Sequence, residues 1–170
     1  GFYDDVEEVP QAEREMIAHI PFDEKKYKEA IGVKELFGEK GYSTLERNSC
    51  RPSFDVCGIW GGYTGEGSKT VLPSKAYAKV SCRLVPHQDH HKISQMFAEY
   101  ISSIAPETVQ VKVTPMHGGQ GYVCPISLSA YQAAEKGFEI AFGKKPLAVR
   151  VVVVFLSFLL LNKSWESKLY

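Results

Sequence analysis

Residues 75–84 read KAYAKVSCRL, and their alternation decides the fold. Ala76, Ala78, Val80, Cys82 and Leu84 alternate with Lys75, Tyr77, Lys79, Ser81 and Arg83. A period of two is that of a strand with one packed face and one polar face. Antiparallel sheets carry that pattern, whereas strands of a doubly covered parallel sheet are apolar throughout. Upstream, SFDVCGIWGGYTG reads as a second strand, joined to the first by the glycine-rich GEGSKTVLPS. That connection does not fit a phosphate loop, which needs Gly-Lys followed by Ser or Thr at the opening of a helix.

Outward from this pair, HQDHHKISQMFAEYISSIAP is the clearest helix. Ile93, Met96, Phe97, Tyr100, Ile101 and Ile104 form one stripe, Asp89 caps the start and Pro106 ends the run. TVQVKVTPMHGG predicts a third strand, with Val109, Val111 and Val113 on one face. SLSAYQAAEKGFEIAFG predicts another helix, opened by a Ser129–Gln132 capping box and stopped at Gly143. Residues 1–50 predict short helices over VPQAEREMIAHIP and FDEKKYKEAIG, then a helical turn in GVKELFGEKGYS. None of these carries a stripe long enough for an independent core. The fold class is α+β, an antiparallel sheet with helices packed on one face.

The chain has 170 residues, enough for one domain with a core. Its 20 basic and 20 acidic side chains cancel, which argues against a nucleic-acid surface. The acidic start GFYDDVEEVP lacks the pattern of a signal peptide. Cys50, Cys57, Cys82 and Cys124 contain no CxxC spacing, so we expect reduced, packed thiols in a cytoplasmic protein. His87, His90 and His91 surround Asp89, but adjacent residues on a helix point about 100° apart. A solvated helix start accounts for them better than a metal site. Neither HExxH nor GxSxG occurs, and local spacing assembles no catalytic residues.

As a whole, residues 1–150 resemble a particular family. GFYDDVEEV, IPFDE, GVKELFGEKGYSTLER, RPSFDVCGIWGGYTGEGSKTVLPSKAYAKVSCRLVPHQD and HGG follow the order seen in zinc-dependent, carnosinase-like dipeptidases. That family also contains acetylornithine deacetylase, succinyl-diaminopimelate desuccinylase and carboxypeptidase G. The resemblance implies a ferredoxin-like lid that dimerises, here incomplete, inserted in a catalytic domain holding two zinc ions. Residues 1–50 would be a helical elaboration of the lid and 51–120 its sheet and helix. Residues 121–150 would begin the returning catalytic domain. The family's zinc ligands, its catalytic Glu and an LHSG-like motif fall outside these residues. This stretch therefore carries no expected metal ligand or catalytic residue, and no cofactor of its own.

By motif, Arg83 corresponds to the arginine that grips the substrate's terminal carboxylate. Thr70 corresponds to a threonine that reaches the partner subunit's active site. His117, Gly118 and Gly119 correspond to a hinge. The implied function is lid and dimerisation in an amide-hydrolysing dipeptidase that binds peptide as a homodimer, without nucleic acid or membrane. The alternatives are a free-standing α+β interaction module and, less well supported, a small metal-binding protein using His87, His90 and His91.

After PLAVR the family continues with a segment like GGSIPIV and later ELG, whereas this chain reads VVVVFLSFLLLNKSWESKLY. Shifting the reading window back one base permits both family motifs, so residues 151–170 read as an out-of-frame tail. As a helix, 151–161 would span about 16 Å against a ~30 Å bilayer core, too short for an anchor. As a strand, the run would pair with a sheet edge or promote association.

Overall fold

The computed structural model describes residues 1–150. Residues 151–170, read from the sequence as an out-of-frame tail, lie outside the described residues. The elements in chain order are α1 (Gln11–Ala18), α2 (Glu24–Ile31), α3 (Thr44–Cys50), β1 (Ser53–Gly61), β2 (Ala76–Arg83), α4 (His90–Ile104) and α5 (Ser129–Phe142). The class is α+β, as the alternation requires. Among the described residues, no helix is long and apolar enough to cross a membrane.

β1 and β2 form an antiparallel pair with Ser53 opposite Arg83, Phe54 opposite Cys82, Val56 opposite Val80 and Ile59 opposite Ala78. Between Val56 and Gly58 the register shifts at a bulge. The bulge has a specific effect. Val56 and Ile59 are three residues apart and would face opposite ways in a regular strand. One extra residue, Cys57, brings both onto the face of Ala78, Val80 and Cys82. Phe54 on this face meets Phe97 of α4, with ring centroids 5.8 Å apart, so a helix packs on the apolar side as predicted. Val56 and Ile59 farther along remain exposed.

The turn from β2 to α4 is tight. Gln88 N–H donates to the Val85 carbonyl at 3.2 Å, with Pro86 next and then His87 at φ 74°. This is the arrangement of a type II turn, with a left-handed residue at its third position. Gln88 is fully buried. Its Oε1 accepts from the Val85 N–H at 3.0 Å and its Nε2 donates to the Phe2 carbonyl at 2.7 Å. One side chain thus ties the chain start to the sheet–helix junction. α4 begins as expected, with the Asp89 carboxylate accepting from the Lys92 N–H at 2.9 Å.

Residues 1–51 are held mainly by charge. Arg51, 7% exposed, grips Glu39 through two bonds of 2.8 and 2.6 Å and lies 4.4 Å from the Tyr42 ring centroid. Arg14 of α1 donates to Glu46 of α3 at 2.6 Å and to the Gly41 carbonyl at 2.7 Å. Burial pushes the Glu46 carboxyl up. The Arg14 bond, with the Ser43 N–H and hydroxyl, outweighs that and holds it below its ordinary 4.5.

Four sequence expectations need correction. Residues 110–125 form no strand. Val109 and Val111 are exposed, and β1 and β2 pair only with each other among the described residues, so this alternation has no ladder to join. GVKELFGEKGYS holds no helical turn. Gly41 at φ 86° breaks it, Phe37 is fully exposed, and the helix comes later as α3. Ser43 and Glu46 make α3's capping box. The Ser129–Gln132 box does not form: Leu128 occupies the cap of α5 and no side chain caps it. All four cysteines are free, but only Cys50 is fully buried, and Cys57 at the bulge is exposed rather than packed.

Two outcomes follow for stability. Replacing Gln88 by Leu strands the Val85 N–H and the Phe2 carbonyl, and urea unfolding should show a loss of about 2–4 kcal/mol. Because the folded carboxyl of Glu46 lies below its unfolded value, its contribution is present above that value and disappears as pH falls through the folded one. Between pH 6 and 3, urea midpoints of the wild type should fall more steeply than those of Glu46→Gln, which should start lower at pH 6.

Candidate functional site

The bulged ladder leaves a second face for chemistry. Here Arg83 stands opposite Ser53, Ser81 opposite Asp55, Lys79 opposite Gly58 and Tyr77 opposite Trp60. The face carries both charge signs and an aromatic pair. Asp55 accepts from the Ser53 hydroxyl at 2.8 Å. Trp60 and Tyr77 stack at 5.2 Å between centroids with 10° between planes, and the Lys79 ammonium lies 5.8 Å over Trp60. Arg83 is exposed at the carboxyl end of β2. Its guanidinium offers a planar fork of donors suited to a carboxylate.

Thr70 lies elsewhere. The connection leaves the ladder at Gly61 and Ala76, with Pro73 beside Gly62 and the Lys69 ammonium 5.5 Å from the Tyr63 ring. Val71 N–H donates to the Lys69 carbonyl at 2.9 Å, which places Thr70 at the centre of a three-residue turn. Thr70 is exposed. From Ala76 to Arg83 the strand runs about 23 Å at ~3.3 Å per residue. The two candidate substrate contacts therefore sit at opposite ends of one hairpin. The structure does not bring them together within a chain.

The predicted hinge runs beside the start of α4. A Cβ on Gly118 would come within 2.4 Å of the His90 ring, so any larger residue there would have to displace that imidazole. Gly121 passes close to the backbone of Val85 and Pro86. His117 is exposed.

The three histidines that could have suggested a metal do not converge. His87 faces Glu7 at 3.4 Å, while the His90 and His91 rings lie against each other, centroids 4.0 Å apart and planes tilted by 36°. Among the described residues, no group of three or more His, Cys, Asp or Glu could hold a metal ion. The described residues do not fit the zinc site that the resemblance implies for the larger enzyme. Sequence reading missed the arginine–glutamate pairs around α1 and α3. Their one local signal is the Ser43-x-x-Glu46 spacing.

Comparison with known proteins bears on this arrangement. Residues 10–109 match the family described as "Peptidase dimerisation domain". The chain is 25% identical over 149 residues to Beta-Ala-His dipeptidase of Rattus norvegicus, covering 86% of this chain and 30% of that protein. It is 26% identical over 153 residues to a Cys-Gly metallodipeptidase of Schizosaccharomyces pombe, covering 88% and 32%. A solved metallo-carboxypeptidase from Sulfolobus solfataricus is similar with a TM-score of 0.77 at 29% identity, covering 89% of this chain and 34% of that one. Human carnosine dipeptidase 1 shares the fold with a TM-score of 0.77 at 23% identity, covering 96% and 35%. The chain spans about a third of the length of the curated relatives it matches.

Proposed function

Because this chain belongs to the peptidase dimerisation domain family, we propose that it is the lid and dimerisation segment of a zinc-dependent dipeptidase. In the complete peptidase, Arg83 holds the carboxylate of the bound peptide, and Thr70 reaches the substrate bound by the partner subunit. Residues 1–50 elaborate the lid, 51–120 carry its sheet and helix, and 121–150 begin the catalytic domain, with 117–119 as the hinge. The zinc ligands come from segments other than these, and the protein works in the cytoplasm.

The observation that carries this reading is the separation of Thr70 from Arg83. An extended dipeptide spans about 7 Å, at up to ~3.6 Å per residue. Contacts at the two ends of a ~23 Å hairpin cannot meet on one such ligand from a single protomer. A homodimer resolves the conflict by letting each chain supply one contact to each site. The exposed apolar residues Val56 and Ile59 are consistent with a surface that other structure covers in the assembly.

Sedimentation equilibrium of this chain, paired with a dipeptide hydrolysis assay in the presence of zinc, tests the proposal. We expect concentration-dependent dimerisation and no hydrolysis above the buffer rate. A strictly monomeric chain at ~100 µM would contradict the dimerisation reading, and zinc-dependent turnover by the chain alone would contradict its role as a non-catalytic lid.

A further inference from the structure

Two neighbouring residues of α1 grip different parts of the chain. Arg14 holds Glu46 of α3, as described above. Glu13, whose side chain is 16% exposed, pairs with Arg150, 137 positions away. That contact is two-pronged: Arg150 Nη2 donates to Glu13 Oε2 at 2.6 Å, and Arg150 Nε is bonded to Glu13 Oε1. Consecutive helical residues point about 100° apart, so α1 can sit between α3 and the incoming segment 144–150 and hold each with a separate charge.

Residues 144–150 have no regular secondary structure and form no backbone ladder with α1. Their attachment is thus weighted toward side-chain charge, and charge is what salt screens.

The geometry points to Glu13 and Arg150 as an ionic clasp that sets whether the segment leading to residue 150 is docked on α1 or released from it. Docked, the segment is held to the same helical frame that Arg51 anchors beside β1. Released, it moves independently of the sheet that carries Arg83. On the proposed reading, where 121–150 begins the catalytic domain, the clasp couples lid position to that domain. This coupling rests on the proposed function, but the clasp can be tested without it. Glu13 and Arg150 are positioning residues in this scheme, and neither is assigned a contact with substrate.

Nitrogen-15 relaxation on this whole chain provides the test, using the backbone amides of Leu147, Ala148, Val149 and Arg150. In the wild type at low salt, we expect order parameters near ~0.85, as for rigid backbone. Glu13→Gln should lower them below ~0.6, while amides of α3 and α4 keep their wild-type values. Arg150→Gln, which leaves every helix residue in place, should give the same drop. Glu15→Gln removes the same charge from the far side of α1, about 200° around the helix, and should change nothing. The paired reversal Glu13→Arg with Arg150→Glu should restore rigidity that Arg150→Glu alone abolishes. The clasp is overturned if both glutamine variants leave 147–150 at the wild-type value, if Glu15→Gln lowers them equally, or if the paired reversal stays as mobile as the single one.

Discussion

One inserted residue governs the face-to-face logic of this molecule. Cys57 bulges from β1, and the shift lets Val56 and Ile59 share a side with Val80 and Cys82. Without it, every residue of β1 beyond Val56 would change faces, because side-chain direction in a strand alternates strictly. Trp60 would then leave its stack with Tyr77, and Ile59 would intrude among Lys79 and Tyr77. The clean division between an apolar face toward α4 and a polar face bearing Arg83 depends on this irregularity.

Burial of apolar side chains does little of the remaining work. Among the described residues, the buried apolar side chains are Ile17, Cys50, Pro52, Val85 and Ile93, whereas Val56, Ile59, Phe138 and Ile140 are exposed. The helical frame is instead fastened by arginine–glutamate pairs, by the buried amide of Gln88, and by Arg51 against aromatic rings. Partly exposed ion pairs hold geometry more than they add net stability. A segment built this way keeps its shape yet leaves apolar area to be covered by other structure. That agrees with its correspondence to a dimerisation domain about a third as long as its relatives.

The hairpin, α4 and the ends of α2 and α5 could be read from the chain because their signals are local. Strand alternation, the Asp89 cap, and glycines at 32 and 143 with left-handed backbones each act within a few residues. α3 was harder to see, since seven residues are too few for a stripe to stand out. The alternation at Val109, Val111 and Val113 misled for the opposite reason: the pattern is local, but a strand exists only where a partner edge is available. Arg14–Glu46 and Arg150–Glu13 join residues 32 and 137 positions apart, which no periodicity records. At the site, the polar side of Arg83 follows from alternation alone. The turn that sets Thr70 at the far end of the hairpin comes from backbone hydrogen bonding that composition does not encode.

The most direct test addresses the anchoring role assigned to Arg83. In the complete peptidase proposed to carry this segment, kcat/KM should be compared for wild type and Arg83→Met on a dipeptide and on the same dipeptide with an amidated carboxyl end. A guanidinium gripping that carboxylate predicts a loss of roughly 10- to 100-fold on the free acid and less than about threefold on the amide. Equal losses on both substrates, or none on either, would contradict the account.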